Sequence, residues 1–201
     1  MFFVVELSNL NIKNGLCISI GANIDSKFGK PLESLIICKP KVEAIIKDWI
    51  NQPLYNQAAI KTSNPQFLWS SIYETFPHGV ENEQPNYYNT IVLVKSCYFS
   101  KPSTQNAKSL LRALKKLELF FGREKTPKGK KWLSRCLDLD IIWWENLYVD
   151  DEELTIPHPR FMNRNFVISP LSEILSKSQK VKKIESPEWS NFGFTKPKNN
   201  C

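Results

Sequence analysis

Apolar residues first fall on alternate positions at Leu16, Ile18 and Ile20, with Cys17 and Ser19 between them. This predicts a strand, closed by the small-residue turn Gly21-Ala22-Asn23. A helical stretch follows around Leu32–Ile37, and Pro40 is expected to interrupt it before a second helical piece over Val42–Ile50. Beyond a loop from Asn51 to Pro65, QFLWSSIYET from Gln66 reads as one strand and YYNTIVLVKSCYF from Tyr87 as another. The clearest helix spans Ser103 to Phe121: Leu110, Leu111, Leu114, Leu117 and Phe121 keep the 3.6-residue period, and Gly122 stops it. A basic loop, GREKTPKGKKW, leads into the strand RCLDLDIIWW. A short strand near Leu147–Val149, the loop DDEEL and a segment that turns helical after Pro159 complete the pattern. Strands mixed with two or three helices, with few β-α-β repeats, predict an α+β sandwich: a mostly antiparallel sheet covered by helices.

Composition adds limits. The 201 residues, 42% hydrophobic and 23% charged, suit one globular domain. The net charge of +7 favours anionic partners without choosing among them. Cys17, Cys38, Cys97, Cys136 and Cys201 form no C-x-x-C pair and, with two histidines, no zinc spacing. Reduced structural thiols in a cytoplasmic protein are expected. MFFVVEL is too short for a signal sequence, and no apolar run approaches the ~20 residues of a membrane span.

The strand RCLDLDIIWW carries the chemistry. Alternation puts Asp138 and Asp140 on one face with Ile142, and Leu137, Leu139, Ile141 and Trp143 on the other. The two carboxylates, with Cα atoms roughly 6–7 Å apart, can converge on a cation. A half-exposed edge strand explains the same pattern. Mg²⁺ is the metal suited to such a pair, because it takes one or two carboxylates and completes its shell with water and phosphate. The upstream cations Arg123, Lys125, Lys128, Lys130, Lys131 and Arg135 fit a polyphosphate site, or simply a solvated loop.

Five ordered motifs carry a resemblance. They are K-W followed by R-x-x-D-L-D-I-I, then L-T-I-P-H-P-R-x-x-x-R-x-F-V, with S-S-x-Y-x-T-x-P and P-x-Y-x-N upstream. Over about Leu16 to Ile174, apart from the stretch near Lys39–Pro65, the chain resembles the hydroxymethyl-dihydropterin pyrophosphokinases of folate biosynthesis. The resemblance implies a ferredoxin-like α/β/α sandwich over residues 15–175, with 39–65 as an atypical insert, 1–14 as an extension and 176–201 as a polar tail. It implies transfer of pyrophosphate from ATP to a reduced pterin with release of AMP, by a monomer that needs neither nucleic acid nor membrane.

The resemblance implies roles by position. Asp138 and Asp140 would hold two Mg²⁺ ions. Arg123, Lys125, Arg135, His158 and Arg164 would meet the triphosphate, and Ile141, Leu154 and Thr155 the adenosine. Asn89 would read the pterin edge, with Tyr87 and Phe166 on the ring faces, Thr75, Phe76 and His78 in the adjoining loop, and Trp132 on a closing loop. Taken without the resemblance, Tyr87 and Phe166 also fit core aromatics, His158 a structural histidine and Asn89 a turn end. Glu118, at the edge of the apolar stripe of its helix, needs a polar partner and is expected to orient other groups. The chain departs from the family pattern at Leu133, Lys115 and Lys125, and in Gly21-Ala22-Asn23. A non-catalytic nucleic-acid-binding module and a nucleotide binder without turnover are the alternatives.

Overall fold

The computed structural model describes residues 15–50, 64–77, 83–95, 102–124 and 133–179. The extension 1–14 and residues 51–63 fall outside these, as do Cys97, Cys201 and the tail from residue 180.

The elements run β1 (Leu16–Ala22), α1 (Pro31–Ile50), β2 (Gln66–Trp69), β3 (Tyr73–Thr75), β4 (Tyr87–Lys95), α2 (Thr104–Phe121), β5 (Asp138–Trp144), β6 (Val149–Asp150), β7 (Thr155–Ile156) and α3 (Asn165–Gln179). The main sheet has the order β2-β4-β1-β5, with β3 also on β4 and every pairing antiparallel. Counting β2 and β3 as one broken strand, this is the β-α-β-β-α-β order of the expected α+β sandwich. β1 is buried along its whole length at the centre. Helices α1 and α2 pack on one face, around Leu35, Val42, Ile46, Leu110 and Leu114. Helix α3 packs on the other, where Val167, Leu171 and Ile174 meet Cys17, Ile91, Leu93, Ile142 and Trp143.

Helix α2 follows its sequence signals. The Ser103 side chain accepts from the Asn106 amide at the start. At the end Gly122, at φ 101°, lets the Arg123 amide reach Glu118 O and its own amide reach Leu119 O.

Four expectations are corrected. Pro40 does not split the first helix, because α1 runs through it. Leu35, Cys38, Val42, Ile46 and Trp49 keep one buried stripe across the proline. Burying Val42, Ile46 and Trp49 downstream, at roughly 1.5–3 kcal/mol for a full side chain, outweighs the cost of the proline. That cost is about 3 kcal/mol, and the carbonyl left without a donor belongs to the exposed Ile36. Consequently Lys39–Ile50, the first part of the expected insert, belongs to a core helix.

The strand expected from Gln66 is two short strands. Trp69 pairs with Val92 but Tyr73 with Asn89, so one extra residue lies between them. Ser70 fills the break, its hydroxyl bonding Thr90 and accepting from the Ile91 amide. Gly21 and Ala22 belong to β1 rather than to a turn, paired with Asn89 and Tyr88.

The last correction concerns β5. Ile18 pairs with Ile141 and Cys17 with Trp143, which leaves Ile142 as a bulge. Trp143 therefore joins Ile142 on the α3 face, and Trp144 takes the place among Leu137, Leu139 and Ile141. The short strand falls at Val149–Asp150, and its partner β7 was not anticipated.

Candidate active site

The α3 face of the sheet changes character along its strands. Its apolar part ends at Cys17, Ile91 and Ile142. Past these residues, alternation continues the same side-chain rows with Ser19 and Gly21 on β1, Tyr87 and Asn89 on β4, and Asp138 and Asp140 on β5.

Registers align these residues across the sheet. Tyr73 pairs with Asn89, Asn89 with Gly21, and Gly21 with Asp138. Gly21 is required here by close approach: a Cβ on it would lie 2.8 Å from Asn89 Oδ1. The Asn89 amide lies over that gap and donates from Nδ2 to Thr75 Oγ1 at 2.8 Å. Two strand spacings, about 10 Å, separate the backbone of Asn89 from that of Asp138. The Tyr87 hydroxyl donates to Gln84 Oε1 at 3.3 Å, and it also lies 3.4 Å from Leu133 O.

Asn23 ties the surrounding loops together. It is 2% exposed. Its Oδ1 accepts from the Arg135 amide at 2.7 Å, while Nδ2 reaches Pro85 O and Ser134 Oγ, both at 3.2 Å. One side chain thus fixes both the entry to β4 and the approach to β5.

Two guanidiniums meet on Asp138. Arg135 Nη1 donates to Oδ1 at 2.7 Å and Arg123 Nη1 to the same oxygen at 2.8 Å. Arg123 is aimed by the glycine cap of α2, which anchors its amide on Glu118 O. Its guanidinium also pairs with Glu118 Oε2.

Lys115 and Glu118, one turn apart on α2, cap the outer edge of β5. The Leu139 amide donates to Glu118 Oε1 at 2.7 Å, and Lys115 Nζ donates to Leu139 O at 3.0 Å and to Glu118 Oε1 at 2.8 Å. Lys115 Nζ also lies 3.7 Å from Asp140 Oδ1. Burial pushes the Glu118 carboxyl up to about 7, against the pull of Lys115. Burial, then Asp138, push the Asp140 carboxyl above its ordinary value. For Lys115 burial opposes the charge, yet Asp140 and Glu118 raise it above the usual lysine value.

The bulge at Ile142 positions His158, whose amide donates to Ile142 O at 2.8 Å. The Arg160 amide donates to His158 Nδ1 at 3.2 Å, and Arg164 Nη1 lies 3.3 Å from Nε2. A neutral imidazole accepts at only one nitrogen. One of these N–H groups therefore faces another donor, an arrangement that an anion beside them relieves. Burial and the Arg164 charge hold the ring's pKa below its ordinary value, which favours this neutral form.

Several expected residues thus converge: Asp138 and Asp140 with Arg123 and Arg135 at one end, His158 with Arg164 beside them, and Tyr87, Asn89 and Thr75 further along the sheet. Phe76 adjoins the last group and is 62% exposed. Phe166 is partly buried against the α3 cluster, with the Arg164 guanidinium 5.4 Å from its ring centre. Ile141 and Leu154 turn their side chains into the α1/α2 core, and Thr155 lies half-buried on β7. His78, Lys125 and Trp132, with Lys128, Lys130 and Lys131, lie outside the described residues.

Sequence reasoning noted Lys115 and Gly21-Ala22-Asn23 only as departures from the family pattern and gave Lys115, Asn23 and Gly21 no role at the site. Their roles depend on partners far along the chain. Only the inward-facing Glu118 gave a signal, a carboxylate on an apolar stripe.

Among the described residues no group of three or more His, Cys, Asp and Glu side chains could hold a metal. Two partly exposed carboxylates nevertheless suit Mg²⁺, which is bound through one or two carboxylates plus substrate phosphate.

The family model described as 7,8-dihydro-6-hydroxymethylpterin-pyrophosphokinase (HPPK) matches residues 17–176. The chain belongs to this family. Among its relatives, the 2-amino-4-hydroxy-6-hydroxymethyldihydropteridine pyrophosphokinase of Bacillus subtilis is 35% identical over 111 residues, 55% of this chain and 60% of that protein. The protein of the same name from Haemophilus influenzae is 36% identical over 107 residues, 53% of this chain and 60% of the relative. The mitochondrial folate synthesis bifunctional protein of Pisum sativum is 32% identical over 123 residues, 61% of this chain and 21% of its own length. The matched part thus spans about three-fifths of the two bacterial relatives.

Proposed function

We propose that the chain transfers the pyrophosphoryl group of ATP to the hydroxymethyl group of 6-hydroxymethyl-7,8-dihydropterin, releasing AMP. The observation that carries this reading is the row Asn89–Gly21–Asp138 in a member of this family. One end offers an amide beside an aromatic side chain, suited to the polar edge and the face of a flat heterocycle. The other offers carboxylates among guanidiniums, suited to a metal-bound triphosphate. The ~10 Å between them leaves room for the hydroxymethyl carbon of one substrate to face the phosphates of the other.

In the reaction the pterin hydroxyl oxygen bonds to the β-phosphorus of ATP. The bond from that phosphorus to the oxygen bridging it to the α-phosphate breaks, AMP leaves with that oxygen, and the hydroxyl proton goes to solvent. Asp138 and Asp140 would hold the two Mg²⁺ ions, which when bound neutralise phosphate oxygens and polarise the β-phosphorus. Arg123 and Arg135, held on Asp138, would offer guanidinium donors to the same oxygens. Arg164 and the N–H of His158 would add donors to the triphosphate, beside Asp140. Gly21 and Thr75 hold the Asn89 amide in its reading position. The protein's work is alignment and charge stabilisation. We place this activity in the cytoplasm, in a monomer.

The test supplies ATP, 6-hydroxymethyl-7,8-dihydropterin and Mg²⁺ to the folded protein and separates the nucleotides. AMP and the pterin diphosphate are expected in equal amounts. ADP as the product, or nucleotide binding without AMP, overturns the reading.

A further inference from the structure

We propose that Lys115 is a fixed internal counter-ion of Asp140 that keeps divalent cations weakly held until a triphosphate is present. The inference rests on the reading of Asp138 and Asp140 as metal ligands.

The two aspartates are neutralised in different ways. Asp138 receives two guanidiniums, both on side chains whose residues stand outside helices and strands. Asp140 meets an ammonium held in place by two other bonds. Lys115 grows from the middle of α2, and its Nζ is held by Glu118 Oε1 at 2.8 Å and Leu139 O at 3.0 Å. The second of these bonds also satisfies the edge of β5, so releasing the ammonium would leave the Leu139 carbonyl without its donor and take one cation from a buried carboxylate. At 3.7 Å from Asp140 Oδ1 the group is beyond hydrogen-bonding distance but well within ion-pair range. Its charge therefore persists beside any cation that Asp140 takes.

Three carboxylates, on Glu118, Asp138 and Asp140, already meet three cations, on Lys115, Arg123 and Arg135. Arg164 stands nearby as a fourth. A divalent cation entering alone leaves the pocket strongly positive. A triphosphate removes that excess, so metal and nucleotide bind with mutual reinforcement. By linkage the gain is reciprocal: metal strengthens nucleotide binding by the same factor.

The test measures Mn²⁺ binding to the full chain by electron paramagnetic resonance, without nucleotide and with a non-hydrolysable ATP analogue. Lys115→Gln keeps a hydrogen-bonding end and removes the charge. It is expected to bind Mn²⁺ alone about tenfold more tightly than the parent, the effect of one partly screened unit charge near 4 Å. Lys115→Arg, which keeps the charge, should match the parent. With the analogue present the difference should shrink severalfold. Adding Asp140→Asn to Lys115→Gln should erase the gain. Equal Mn²⁺ affinity of parent and Lys115→Gln in the absence of nucleotide overturns the proposal. If Lys115→Gln does not fold, Lys115→Met, an unbranched helix former of similar length, gives the same reading. Failure of every variant and the parent to bind Mn²⁺ even with the analogue would overturn the aspartate assignment itself. Metal binding that is normal but indifferent to Lys115 overturns only the counter-ion role.

Discussion

The two faces of the sheet are built from the same strands and are used differently. Under α1 and α2 the β1 row is apolar from end to end: Leu16, Ile18, Ile20 and Ala22. Under α3 the corresponding row on β1 runs Cys17, Ser19, Gly21, apolar at one end and polar or bare at the other. Along β1 the first of these rows only packs. The second packs over half its length and keeps the rest for carboxylates, an amide and a gap left by a glycine. Alternation along a strand makes this possible, because a polar row can be placed on one side without touching the other.

Single substitutions can break or sharpen that contrast. The largest effect is expected for Asp138→Ala and Asp140→Ala, each lowering AMP formation by about 10²–10³-fold or more while the thermal midpoint moves little. Steady turnover and melting curves check this, and an active, unstable variant would erase the distinction between the faces. On the packed face Leu114→Ala should cost about 2–5 kcal/mol in urea unfolding, with the KM values of the folded fraction unchanged. Leu114, on the inner face of α2, is fully buried.

Gly21→Ala lies on the boundary. Its Cβ would displace the Asn89 amide. It should raise the pterin KM about tenfold with little change in the KM for ATP, read from initial rates.

A pH effect comes next. The folded pKa of Glu118, about 7, exceeds its ordinary value of 4.5. Between these values the folded state holds more of this proton than the unfolded chain does. The Glu118 contribution to stability therefore falls as pH rises from about 4.5 to 7. Glu118→Gln should flatten that part of the stability–pH curve in chemical denaturation. The smallest effect is expected for Arg112→Ala, whose exposed pair with Glu153 contributes less than about 1 kcal/mol in the same measurement.

The legible parts of the molecule were those decided by neighbours in sequence. Helix α2 announces its start with Ser103, its stripe with five apolar residues and its stop with Gly122. The aspartates of β5 could be assigned to one face because Asp138 and Asp140 precede any irregularity. Pro40 misled because a local rule, the missing N–H, was set against a buried stripe that only the folded sheet rewards. Trp143 misled because alternation cannot reveal an unpaired residue, and Ile142 becomes one only against Cys17 and Ile18. Lys115 and Asn23 act on Leu139, Asp140 and Arg135, more than twenty positions away, and no spacing connects them.

The outer strand β5 bears on a different matter. A bare margin of a sheet invites a second copy of the chain to add on. Here the backbone of Leu139 is occupied in both directions by α2, and the carbonyl of Ile142 by the amide of His158. The contacts that shape the candidate site also leave little purchase at that border for filament growth, so the same few side chains both build the site and close the border.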